Sequence, residues 1–204
     1  MQASLVTESD PQRSFTETGR RAQIVAAAIE TIAELGYKRA SFAQIARRAG
    51  LSSTGLISYH FAGKDELVAE VVGKVVGAIT QFMGERMTLD APPRETLRAY
   101  IEGNVEFIAT HRSEMKALLE VFINGGFAYD SDSERVVLSP LESILRAGQR
   151  DGAFRAFDPK VMATLIQRAV DGLPFLLESE PDLDLAGYAA EVCTVFDLAT
   201  RVQQ

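Results

Sequence analysis

Apolar residues recur at helical spacing through almost all of the 204-residue chain, and no stretch shows the every-second-residue alternation of a half-buried strand. From about Thr16 to Leu35, Val25, Ala28, Ile29, Ile32 and Leu35 line one face of an amphipathic helix, which Gly36 closes. A second helix opens at Ser41-Phe42-Ala43-Gln44, a capping box in which the serine hydroxyl and the glutamine side chain each satisfy an orphan N–H. Ala49-Gly50 stops it two turns later. Ser52, Ser53 or Thr54 caps a third helix, which runs through Leu56 and Ile57 to about His60. Gly63-Lys64 breaks the chain again before Asp65-Glu66, acids suited to the positive end of a long helix.

Six helical blocks follow, at roughly 65–87, 94–110, 113–124, 133–150, 159–178 and 184–201. Pro92-Pro93, Gly125-Gly126, Asp151-Gly152 and Pro181-Asp182 punctuate them. The Gly-, Asp- and Ser-rich stretch 125–133 reads as a mobile loop, and Pro140 and Pro174 are expected to kink or interrupt their helices. The expectation is an all-α protein.

Charge separates the two ends. The formal net charge is −7, yet residues 1–64 hold eight Lys/Arg against five Asp/Glu, while the remainder holds thirteen against twenty-three. Such asymmetry suits a nucleic-acid-binding segment joined to a body that does not bind DNA itself. A lone cysteine, Cys193, excludes a disulfide framework and a cysteine-based zinc site. The first fifteen residues lack the basic and apolar regions of a signal peptide, and the apolar runs are interrupted well short of ~18 residues. These features point to a cytoplasmic protein that does not enter a membrane.

Three short helices within about fifty residues, the last two joined by a tight glycine-containing turn, make a helix-turn-helix. The first helix and Ile45 supply its small core, and Ala46 permits close approach. Leu51 and Ile57 face inward, which leaves the polar outer face of the third helix free to enter a major groove. Arg47 and Arg48 end the second helix and Lys64 begins the fourth, positions from which each could pair with a phosphate.

Gly36-Tyr37, Ser41-Phe42, Ile45-Ala46-x-x-Ala49-Gly50-Leu51-Ser52, Gly55 through Phe61 and Lys64-Asp65-Glu66-Leu67, in this order and spacing, resemble the DNA-binding domain of the tetracycline-repressor (TetR) family. The resemblance covers roughly residues 18–70. It implies that Ser41 meets a phosphate, that Thr54, Gly55 and Leu56 face base edges, that Tyr59 and His60 lie at the backbone, and that Lys64 anchors a phosphate. Ile57 and Phe61 would be structural. Ser58 stands where the family usually has a tyrosine, so that Tyr59 would take over its contact. The turn before Gly55 is one residue longer than the common form, which leaves open whether Ser53 or Thr54 points at a base. The expected DNA-binding set is Ser41, Arg47, Ser53, Thr54, Gly55, Leu56, Ser58, Tyr59, His60 and Lys64. His60 packed beneath the recognition helix remains an alternative.

The expected organisation is a tail at 1–15, the helix-turn-helix at 16–64 and a sensing and dimerisation domain at 65–204. Met162, Leu165, Ile166, Ala169, Leu173, Tyr188, Val192, Val195, Phe196 and Ala199 give the last two blocks broad apolar faces. Pairing with a second copy in a four-helix interface would bury them. Phe107, Met115, Leu119, Phe122, Phe127, Tyr129, Gln167, Asp171 and Phe175 mix aromatic and polar groups in the manner of a small-molecule pocket, although plain core packing suits each of them individually. No phosphate loop, zinc-protease pair or nucleophile elbow is present, so neither catalysis, a cofactor nor a metal is expected. The reading is a homodimeric, ligand-responsive regulator, most simply a repressor, on a palindromic double-stranded DNA operator. The alternative is a helical small-molecule binder, or a partner-binding adaptor, without DNA binding.

Overall fold

The computed structural model describes residues 11–88, 90–127 and 131–202. They form α1 (Pro11–Leu35), α2 (Phe42–Arg48), α3 (Gly55–His60), α4 (Lys64–Arg86), α5 (Pro93–Thr110), α6 (Arg112–Ile123), α7 (Ser131–Arg150), α8 (Pro159–Asp171), α9 (Leu173–Ser179) and α10 (Leu185–Thr200). Among the described residues there is no strand, only an isolated bridge between Phe154 and Arg201.

Local chemistry sets most of these boundaries. Gly36 and Gly50, with φ of 83° and 65°, end α1 and α2 in the left-handed conformation that glycine adopts without strain. The Ser41 hydroxyl accepts from the Gln44 amide at 3.3 Å, but Gln44 turns its own side chain to Arg47, so only half of the expected capping box forms. Asp158 and Asp184 cap α8 and α10 through their carboxylates. Pro174 lies in the first turn of α9 and divides the block expected at 159–178 into two helices. Pro140, by contrast, sits inside α7 without ending it. Leu138, Leu141 and Leu145 around it are buried, and that burial outweighs one lost helical bond. Because α7 begins at Ser131, the loop expected at 125–133 is shorter than its composition suggests.

The chain divides into two compact units, Met1–Val72 with Ala117–Phe127, and Gly73–Lys116 with Ala128–Gln204. The first therefore extends past residue 64 and recruits the C-terminal half of α6. Its buried residues include Ile24, Ala28, Ile32, Ile45, Ile57, Phe61, Leu67, Val71 and Val121. Gln23 of α1 donates to the Ala49 carbonyl at 2.7 Å, which joins α1 to the end of α2.

The second unit is organised around α5, which touches α7, α8, α9 and α10. Its core comprises Leu97, Tyr100 and Ile101 with Leu141, Leu145, Phe154, Ile166, Cys193 and Phe196. Gly148 is required here, since a Cβ at that position would fall 2.1 Å from the Phe154 ring.

One sequence expectation needs correction. By length and composition α4 is apolar enough to cross a membrane, because its glycines interrupt the run too weakly to offset its valines and only Glu70 and Lys74 charge its apolar middle. Leu67, Val68, Val71, Val72 and Val75 of this run are buried in the protein.

Candidate nucleic-acid interface

The third helix has six residues and buries only one of them, Ile57. Phe61, which follows it, is buried too. Gly55, Leu56, Ser58 and Tyr59 are exposed, and Tyr59 is 73% accessible, far more than a tyrosine held for packing. A Cβ at Gly55 would meet nothing closer than the Ser53 hydroxyl at 3.4 Å. The chain itself therefore has room for a side chain at position 55.

Ser41, Arg47, Ser53 and Thr54 are also exposed. Thr54 occupies the N-cap position of α3, yet its hydroxyl makes no capping bond, so the expected cap is positional only. Ser58 donates to the Thr54 carbonyl at 3.4 Å. His60 is half-buried, and its ring meets that of Tyr59 edge-on at 5.0 Å. Its carbonyl oxygen accepts from the Arg21 guanidinium.

Lys64 makes contacts within the chain that its sequence position does not reveal. Its ammonium donates to the Tyr37 carbonyl at 2.7 Å and stands 4.2 Å from the centroid of the same residue's ring. Partial burial lowers its pKa, with Asp65 pulling the other way. Two ammonium protons remain for an external acceptor. Tyr37 is fixed from its other side as well, since its amide donates to Glu120 at 3.1 Å and a Cβ at Gly126 would lie 2.5 Å from its ring.

Sequence reasoning gave Arg21 no role and did not foresee the partners of Tyr37 and Glu66. Glu66 left a trace, an acid at the third position of α4, where it accepts the Ala62 amide at 2.7 Å. That bond, followed by contact with Arg21, holds its carboxyl below the usual range. The contacts of Arg21 and Tyr37 left none, because their partners are distant in sequence.

The residues expected to line a small-molecule pocket are divided between the two units. Phe107 and Met115 are core residues of the second unit, and Phe175 is 51% exposed. Leu119, Phe122 and Phe127 belong to the first unit, and Tyr129 lies outside the described residues. Gln167 and Asp171 do belong together. The Tyr100 hydroxyl donates to Gln167 Oε1, and Gln167 Nε2 donates to Asp171 Oδ1, both at 2.8 Å. Burial, reinforced by the charge of Asp171, pushes the Tyr100 pKa up to about 12. Burial also raises that of Asp171, against the opposing pull of Gln167 and Arg168. A cavity of about 120 Å³ lies elsewhere in this unit, lined by Arg94, Leu97, Arg98, Phe154 and Cys193 among others. Among the described residues no three His, Cys, Asp or Glu side chains gather as metal ligands.

The family model described as "Bacterial regulatory proteins, tetR family" matches residues 24–71. The HTH-type transcriptional regulator BetI of Cronobacter sakazakii is 30% identical over 176 residues, covering 78% of this chain and 84% of that protein. BetI 1 of Chromohalobacter salexigens is 36% identical over 101 residues, covering 49% of this chain and 50% of that protein. With this and several other BetI proteins, the matched region spans only about half of the relative's length. A transcriptional regulator from Saccharomonospora viridis, solved in complex with choline, superposes with a TM-score of 0.79 at 21% identity, covering 91% of this chain and all of that one.

Proposed function

The chain belongs to the tetR family of bacterial regulatory proteins, and from that premise we propose that it is a homodimeric, ligand-responsive repressor that grips a palindromic operator through α3. The observation that carries this reading is the disposition of α3: Ile57 is buried while Leu56, Ser58 and the 73%-accessible Tyr59 are left open. A helix that keeps so little of its surface for its own fold suits insertion into a major groove. Ser41 and Lys64 flank it, and the positive balance of residues 1–64 favours phosphate.

Dimerisation is supported by large apolar residues left exposed on two helices, Val161 and Leu165 on α8 and Val195 and Leu198 on α10. The broad face read from the sequence divides in two: Met162, Ile166, Leu173 and Phe196 turn into the chain's own core. What remains outside suits a two-fold contact between copies. Such a dimer would set its recognition helices about 34 Å apart, one turn of DNA.

For the effector, the hydrogen-bonded row of Tyr100, Gln167 and the part-exposed Asp171, whose carboxylate also meets Arg168 at 3.0 Å, offers aromatic and anionic groups of the kind a cation takes. Choline, the ligand of the Saccharomonospora viridis regulator, is therefore the first compound to titrate. An effector of this kind acts only so far as it prefers the conformation that binds DNA poorly.

The test is binding to DNA from the protein's own upstream region, followed against salt. A specific dimer contacting several phosphates loses about 10³-fold or more in affinity between roughly 50 and 200 mM salt. Binding no tighter than to unrelated DNA refutes the reading.

A further inference from the structure

Resting on the reading of α3 as the groove-facing helix, we propose that Arg21 is a positioning residue for DNA recognition, which holds α3 at its working angle without touching DNA. A six-residue helix has no stability of its own. It begins at a glycine, its N-cap threonine contributes no side-chain bond, and Ile57 is its one buried residue. Its orientation therefore depends on what grips its C-terminal end.

That grip comes from α1. One guanidinium nitrogen of Arg21 donates to the carbonyl oxygen of His60, the last residue of α3. The same guanidinium lies 4.3 Å from the centroid of the Phe61 ring. Its other nitrogen is 3.4 Å from Glu66 and 3.3 Å from Glu70, on the first two turns of α4. Glu66 completes the knot by accepting the Ala62 amide in the turn between α3 and α4. Three helices and their turn thus converge on one side chain. A planar fork with five donors serves this purpose, and the single ammonium of lysine does not.

The same contacts argue against a phosphate role. Two carboxylates already face the one positive charge, so the cluster as a whole is anionic and repels the DNA backbone. The exposed ion pairs contribute little energy. The bond to the His60 carbonyl and the stacking on Phe61 set the geometry.

The experiment compares full-length wild type, Arg21→Gln and Arg21→Lys on upstream DNA across a salt series, with hydrogen exchange on the free proteins. We expect Arg21→Gln to lose about tenfold in operator affinity, the scale of one charged hydrogen bond, with the salt slope unchanged. Exchange at the amides of Ser58 to Phe61 should quicken several-fold while α5 amides keep their rates. Arg21→Lys should show the same pattern to a lesser degree, and it decides the matter if the glutamine variant does not fold. A salt slope lower by about one would make Arg21 a phosphate contact and overturn the proposal. Unchanged affinity, or exchange that quickens equally in α5, would overturn it too. Failure of the wild type itself to bind upstream DNA refutes the functional reading instead, and leaves the local exchange comparison to decide whether Arg21 holds α3.

Discussion

Lys64 is bonded to the backbone of Tyr37 and stacked on the ring of the same residue, its ammonium 2.7 Å from the carbonyl oxygen and 4.2 Å from the ring centroid. One side chain thereby ties the start of α4 to the turn between α1 and α2. Lys64→Met keeps the apolar stem and removes the charge. It is expected to lower stability by about 1 kcal/mol, the sum of a partly exposed cation–π contact and a modest hydrogen bond. It should also reduce the slope of log affinity against log salt by about 0.9, through loss of one phosphate contact. Urea titration and binding isotherms at several salt concentrations check the two effects separately.

Tyr100 makes stability depend on alkaline pH. Its folded pKa of about 12 lies above the ordinary value of 10.0, so between these values the unfolded chain has lost the phenol proton and the folded one keeps it. Stability is therefore fully present below about pH 10 and declines towards pH 12, by roughly 2–3 kcal/mol in all. Tyr100→Phe should flatten that decline. At neutral pH the same variant should cost about 1–2 kcal/mol, because Gln167 is left with an unpaired buried oxygen. Denaturant midpoints measured from pH 8 to 12 test both statements.

Asp171 produces a slope of the same sign at the acid end. Its folded pKa is raised above the ordinary value of 3.8, mainly by burial, so its contribution is greatest below that value and is lost as pH rises through the folded pKa. Asp171→Asn should remove this fall. Chemical denaturation of both proteins between pH 3.5 and 7 should show the two curves converging as the pH is lowered.

Gly148 has no room for a methyl group. Its Cβ would lie 2.1 Å from Cδ2 of Phe154, a ring that is 3% exposed and enclosed by the core of the second unit. Gly148→Ala is expected to destabilise the protein by about 1–3 kcal/mol, the cost of overpacking. The double variant Gly148→Ala/Phe154→Leu should recover part of the loss, and a thermal melt of the pair distinguishes this from a simple helix-propensity gain.

Leu165 and Val195 are each 55% exposed although they lie on helices whose other faces are deeply buried. Leu165→Glu combined with Val195→Glu should leave helical content unchanged and yield a monomer in sedimentation. If the proposed two-fold contact is how this chain engages DNA, the same variant should lose operator binding.

The sequence by itself determined the fold class, the positions of the first three helices and the exposed set on α3. Those properties follow from periodicity and from residues with local rules: Gly36 and Gly50 end helices because of their own φ, and Ser41 caps through a bond to Gln44 three residues on. Tertiary structure alone decided the rest. Periodicity marks the apolar faces of α8 and α10 without saying that Ile166 and Phe196 turn into the chain's core while Leu165 and Val195 stay outside. The partners of Tyr37, at Lys64 and Glu120, lie 27 and 83 residues away, and His60 lies 39 residues from Arg21. Such contacts obey no spacing rule, because the geometry that joins them exists only once the helices have packed.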